Sequence, residues 1–170
     1  MAVLPIKIYG EEVLRRKASP VADINGDLAD FMDSLVLTMK QAKGLGLAAN
    51  QVGLTSRIFA IDMSFFDPLK QPLVIINPVV VASSGEATAE EGCLSFPGLY
   101  MPVTRAKKAA VVGLDRNGKE IVVEGSDLVA RVLLHEIDHL DGTLFIDRMK
   151  SSELETIRDE LRRIRNGERV

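Results

Sequence analysis

Histidine occurs at two positions only, His135 and His139, and cysteine at one, Cys93. The histidines frame Glu136 in the segment HEIDH. Residues four apart on an α-helix lie one above the other on the same face, so both imidazoles can reach one ion. Glu136 projects about 100° round the helix from His135, close enough to a water on that ion to handle its proton. The chemistry this pattern could do is metal-assisted hydrolysis. Two core histidines beside a solvated glutamate are the plainer alternative, and ligand spacing on a strongly patterned helix favours the metal. A catalytic site usually takes three protein ligands and keeps a fourth position open. With no other histidine, the third ligand is Cys93 or a carboxylate such as Glu153 or Glu155. Cys93 lies in EGCLSFPG, where Gly92, Pro97 and Gly98 mark a turn. A lone cysteine is also commonly a small buried hydrophobe, and spacing alone leaves both readings open.

A third segment, GLGLAANQVG at 44–53, matches a G-x-G-x-x-A dinucleotide fingerprint at Gly44, Gly46 and Ala49. That fingerprint needs a strand before it and a helix after it, whereas here a helix precedes it. Its useful content is two glycines that let another backbone come close, and Gln51 as an amide donor. The alternative is a helix C-cap at Gly44 followed by an ordinary loop.

The elements that must position these residues can be read from periodicity. A first helix is predicted from Leu28 to Lys43, with Leu28, Phe31, Met32, Leu35 and Met39 on one stripe, Asp27 as cap and Gly44 as terminator. A second runs from Asp127 to Leu140, with Ser126 as N-cap and Gly142 just beyond its end. A third runs from Glu153 to Arg165, with Ser152 and Glu155 as a capping box, Gly167 closing it, and Leu154, Ile157, Leu161 and Ile164 on one face that can dock it on the domain. Between the first two, the Val- and Ile-rich segments 57–62, 73–81, 107–114 and 120–125 read as strands. Asn117-Gly118 predicts a hairpin through a type I′ turn. The whole is an α+β fold: mostly antiparallel sheets around a central HExxH helix, with an N-terminal and a C-terminal helix.

The 170 residues suit a single domain, 1–170, in which 151–170 form a helical tail. Hydrophobic residues are 46% and charged residues 26%, enough for a sizeable core without staples. A net charge of −3 and 5% aromatics with no tryptophan argue against a protein that holds DNA by charge or stacks bases. One cysteine forms no internal disulfide, which favours a reducing compartment. The N-terminal apolar stretch is short for a signal peptide, and Leu73–Ala82, broken by Asn77 and Pro78, falls far short of the ~20 residues a membrane helix needs. The expectation is a cytoplasmic monomer with no membrane partner.

Together, Gly44–Gln51, Glu91–Ser95 and His135–His139 resemble, in order, the three motifs of the peptide deformylase family, G-x-G-L-A-A-x-Q, E-G-C-L-S and H-E-x-x-H. The resemblance extends from about Pro5 to Lys150. It implies a divalent metal held by Cys93, His135 and His139, with Fe2+ as the native ion and Zn2+ or Ni2+ forms also found. It further implies Glu136 as general acid/base, and Gln51 with the Leu94 backbone N–H as oxyanion donors. The implied substrate is an N-formylmethionyl nascent peptide, from which formate is released. A peptide could pair strand-like with Gly44–Leu47, Gly46 included, and with the stretch after Ser95. Leu128 and Val132, two turns and one turn before His135, are placed against the methionine side chain. Two positions depart from the family pattern: Leu134 stands where many members carry Gln, and Tyr100 where some carry Arg.

Because family members act on nascent chains, the stripe Arg158, Arg162, Arg165 and Arg169 is a candidate for transient ribosome contact. Against it, the segment 151–170 holds five acids and five arginines, and Glu155, Asp159 and Glu160 can pair with them. Two other functions compete: an HExxH zinc peptidase with a carboxylate as third ligand, and a non-catalytic binder of N-terminal peptides, which would not need Glu136.

Overall fold

Ile58, Phe59, Ala60 and Ile61 are each 0% exposed, an apolar run with nothing polar on either face of the pleat. A strand of this kind must be covered on both sides. The computed structural model, which describes residues 1–170, shows how. Its elements are α1 (Gly26–Gln41), β1 (Gly46–Ala48), β2 (Ile58–Ile61), α2 (Met63–Phe66), β3 (Leu73–Ser84), β4 (Ala87–Gly92), β5 (Tyr100–Arg105), β6 (Lys108–Leu114), β7 (Glu120–Ser126), α3 (Leu128–Leu140), α4 (Ser151–Thr156) and α5 (Arg158–Arg165). All strand pairings are antiparallel, in a five-stranded sheet ordered β1-β2-β3-β6-β7 and a separate β4-β5 pair. This is the α+β class expected.

Alternate residues of β2 serve different cores. Phe59 and Ile61 join Ile75, Val111, Leu133, Ile137 and Leu140 under α3. Ile58 and Ala60 join Met32, Leu35 and Met39 of α1 on the opposite face, as the stripe on the first predicted helix requires. A third cluster lies away from the sheet, where Leu14, Phe96, Leu99, Phe145, Ile157 and Ile164 meet, with Leu154 and Leu161 packed against them. The tail helices therefore dock by the face read from the sequence.

Several local expectations are corrected. The cap of α1 is Asn25, whose side chain accepts from Leu28 N, and not Asp27. Its C-terminus closes on Lys43 in the left-handed conformation (φ 59°), so Gly44 is not the residue that turns the chain. Ser126 stays in β7, and the N-cap of α3 is Asp127, at φ 56° and ψ −118°, whose side chain makes no capping bond. The third helix is two pieces broken at Ile157, because Ile157 turns inward at φ −117°, ψ 16° to reach the third cluster. Its first turn is closed by Glu153 accepting from Lys150 N, not by Ser152 and Glu155. The β6–β7 hairpin forms, but only Gly118 of the Asn117-Gly118 pair has positive φ. Asp115 accepts from the N–H groups of Asn117 and Lys119 and tightens a longer loop in place of a type I′ turn.

Three strands were not anticipated. β1 has only three residues, β4 (ATAEEG) lacks apolar alternation, and β5 carries Pro102, tolerated because β5 bonds to β4 alone.

Candidate metal centre

Helix α3 is anchored on the sheet by Leu133, Ile137 and Leu140, which leaves His135 and His139 facing the loop that follows β4. That loop is held from the other side. Phe96 stacks on Tyr9 at 4.8 Å and meets Phe145 edge-on at 4.9 Å. The N-terminal segment ties it to the first motif: Lys7 N donates to Gln51 O at 2.7 Å, and Tyr9 N to Ser95 O at 2.9 Å.

These supports bring three donor atoms together. His135 Nε2 and His139 Nε2 are 3.2 Å apart, and Cys93 Sγ is 3.3 Å from His139 Nε2. All three lie within 4.8 Å of one another. Glu153 and Glu155, the carboxylate candidates, are elsewhere: Glu153 caps α4 and Glu155 pairs with Arg158 at the surface.

Glu136 is buried, with Oε2 paired to nothing in the chain. Its carboxylate lies so close to β1 that a Cβ on Gly46 would stand 2.5 Å from Oε1 and 2.8 Å from Cγ. Gly44 has the same relation to the second motif, since its Cβ would be 2.7 Å from Leu94 Cδ1. The two glycines are thus where motif one receives the other two. Gln51, 1% exposed, is fixed through Oε1, which accepts from Ala48 N at 3.0 Å. Its Nε2 faces Ser95 Oγ at 3.1 Å and Cys93 Sγ at 3.5 Å. The Leu94 N–H donates to no backbone carbonyl.

The electrostatics favour a positive charge between the donors. Burial opposes charge on His135, but Cys93 and Glu91 beside it hold its pKa well above the ordinary value. Burial and the neighbouring His135 charge push His139 well below. Two Nε2 atoms and a sulfur that converge within 4.8 Å form an N/N/S donor set that fits a divalent cation. Burial raises the Glu136 carboxyl to about 7, partly opposed by the His135 charge.

The matching sequence family is that of polypeptide deformylase, over residues 3–155. This chain belongs to the peptide deformylase family. It is 46% identical over 162 residues to the peptide deformylase of Thermodesulfovibrio yellowstonii, covering 95% of this chain and 98% of that one. With the peptide deformylase of Alkalilimnicola ehrlichii it shares 41% over 170 residues, 100% of this chain and 95% of the other. Among solved structures, a peptide deformylase from Legionella pneumophila superposes with a TM-score of 0.90 at 39% identity, covering 97% and 96% of the two chains. That from Thermus thermophilus gives 0.88 at 42%, covering 97% and 99%.

The deformylase site rests on a charged network that motif spacing does not reveal. Glu91 Oε2 accepts from His135 Nδ1 at 2.7 Å, which aims the ring's Nε2 at the other donors. The same carboxylate accepts two bonds from Arg105, at 2.7 and 2.8 Å, and one from Arg131 Nη1 at 3.0 Å. Arg105 Nη1 continues to Asp138 Oδ2 at 2.8 Å, and Arg148 bonds both Asp138 oxygens. Burial would raise the Glu91 pKa, but Arg105 and His135 outweigh it and hold the carboxyl far below its usual range. A clue was available: Arg131 lies one turn before His135 on an otherwise apolar stretch, where a charge needs a buried partner. Of the residues placed against the substrate, Val132 is 8% exposed, Leu128 remains 41% exposed, and Leu47 is fully buried towards α1 and offers backbone alone. Tyr100 stands exposed, its ring against Gly92, and Leu134 is half-buried on α3.

Proposed function

We propose that this chain hydrolyses the formamide bond of N-formylmethionyl peptides and releases formate, with Cys93, His135 and His139 holding one divalent cation. The observation that carries the reading is the meeting of one sulfur and two Nε2 atoms beside an unpaired, buried Glu136 carboxylate oxygen. When bound, the cation supplies Lewis-acid chemistry, polarising a carbonyl oxygen and making water more acidic. One thiolate and two neutral imidazoles leave it a net charge near +1, so a neighbouring base matters more than in a three-histidine site. Glu136 is that base. With a carboxyl near 7 it takes a proton from the attacking water and returns it to the departing amine. Gln51 Nε2–H and the Leu94 N–H donate to the oxygen on which charge develops, an effect of about 3 kcal/mol per donor. The peptide backbone runs along β1 from Gly46 towards Gly44, and opposite the stretch after Ser95. The methionine side chain lies against Val132 and Leu128.

Fe2+ is assigned as the native ion on family grounds, and Zn2+ or Ni2+ suit the same donors. A ferrous site beside a thiolate loses activity in air as the sulfur and iron oxidise. In the tail, Arg158 and Arg162 pair with Glu155 and Asp159, which supports a solvated face there more than a ribosome-binding one. The test is formate release from formyl-Met-Ala-Ser. Glu136→Ala is expected to lower kcat by ~10²–10⁴-fold with metal content kept. Cys93→Ser is expected to lose both metal and activity; a Cys93→Ser protein with full metal and peptidase activity would replace this reading with a carboxylate-ligated peptidase.

A further inference from the structure

Beside the first motif lies a groove of about 330 Å³ lined by Lys40, Lys43, Gly44, Leu45, Asp62 and Phe65. Its charges are not equivalent. Lys40 Nζ is engaged, 3.7 Å from Asp62 Oδ2 and 3.5 Å from Ser64 Oγ. Lys43 takes part in none of the chain's ion pairs and is exposed. Its backbone is nevertheless fixed: Lys43 N donates to Lys40 O and Gly44 N to Met39 O, each at 3.0 Å, closing α1 with Lys43 at φ 59°. An unpaired lysine side chain thus springs from a fixed point of the backbone at this groove, whose lining also includes Phe65, itself 61% exposed.

The groove is continuous with the strand edge assigned to the substrate. β1 bonds only to β2, so its other edge is open. A peptide whose formyl group lies beside Glu136 must start near Gly46, because Glu136 touches that residue. It cannot run on past Leu47 and Ala48, which are 0% exposed. It must run the other way, past Leu45 and Gly44 to Lys43. At ~3.3 Å per residue, strand pairing sets the third to fifth residues of the peptide over Gly44, Lys43 and the groove.

We infer that this groove is a distal subsite which reads the third to fifth residues of the formylated peptide and selects an acidic side chain there, with Lys43 as the charge and Phe65 as the apolar wall. The inference rests on the deformylase reading. Its consequence is a preference among substrates that share the same formyl-methionine end. Exposed pairs of this kind are modest, so the expected discrimination is ~3-fold, set by KM and reduced by salt.

The experiment measures kcat and KM of the metal-loaded enzyme on formyl-Met hexapeptides of alanine carrying one Glu or one Lys at positions two to six. Each value is divided by that for formyl-Met-Ala with the same enzyme. The expected result is a Glu-over-Lys preference of ~3-fold confined to positions three to five and lost in ~0.5 M salt. Lys43→Glu is expected to invert it, and Lys43→Asn, which tolerates the left-handed backbone, to abolish it. Phe65→Ala should raise the KM of the hexapeptides relative to formyl-Met-Ala. A wild-type enzyme indifferent to charge at every position, or a preference that survives Lys43→Glu, would overturn the subsite. Absence of formate from every peptide, formyl-Met-Ala included, would instead remove the deformylase reading and the subsite with it.

Discussion

Gly46 and Glu136 fit together with no room for a side chain between them. The atoms that a Gly46 Cβ would meet include Cγ and Cδ of Glu136 as well as Oε1, at 2.5–2.9 Å, so rotating the carboxylate alone does not clear it. Gly46→Ala is therefore expected to displace the carboxylate proposed as general base while sparing Cys93, His135 and His139. An ångström of misplacement at a reacting group can cost ~10² in rate, and that loss in kcat, with metal stoichiometry kept, is the expected outcome. Gly44→Ala is the control. Its Cβ would come under 3 Å only of Leu94 Cδ1, the tip of a side chain that can turn aside, with Leu94 Cγ and Gly46 O at 3.4 Å, so a clearly smaller loss is expected. Equal rates for Gly46→Ala and wild type would show that Glu136 has room that its contact with β1 denies it.

At the scale of elements, the site depends on β4 and β5 delivering Glu91 and Arg105 to α3. Arg131, Arg105 and His135 all end on one carboxylate, with Arg105 4% and Glu91 5% exposed at the side chain. Removing one partner of a buried pair leaves the others uncompensated, commonly at a cost of about 3 kcal/mol or more. Glu91→Gln also turns an amide N–H towards groups that are themselves donors. It is expected to destabilise the fold by about 3 kcal/mol in denaturant unfolding and to weaken metal retention, since His135 loses its aim. The pH dependence follows from the depressed Glu91 pKa. Its contribution is present above the ordinary value of 4.5 and is lost as pH falls from there, because the unfolded chain then binds the proton that the folded one refuses. The wild-type melting temperature should fall steeply below that pH, and the Glu91→Gln protein should show a lower plateau with a shallower acid limb.

For the whole molecule, the cluster of Leu14, Phe96, Phe145 and Ile164 joins the chain's two ends to the loop that carries Cys93. Ile164 is 0% exposed there, so Ile164→Ala should cost about 3 kcal/mol, or roughly 6–12 °C in melting temperature for a domain of this size. An unchanged melting temperature would mean that α5 packs loosely in solution. Helices α1 and α3, four of the seven strands and the docking face of the tail were legible in the sequence, because apolar residues recur there at the helical or strand period. The Asn25 cap, the break at Ile157 and the strand β4 were not, since each is decided by what packs against it. No local period records the distance between Glu91 and Arg131. Residue types and short spacings by themselves determined which groups could share an ion and which segments had to be helical, because those relations lie within one or two turns of backbone. Only the tertiary structure decided that a sulfur 42 residues before the first histidine lies beside both imidazoles, that Gly46 closes on Glu136, and that a guanidinium network holds the carboxylate bonded to His135, because contacts between distant segments depend on how the whole chain buries its apolar surface.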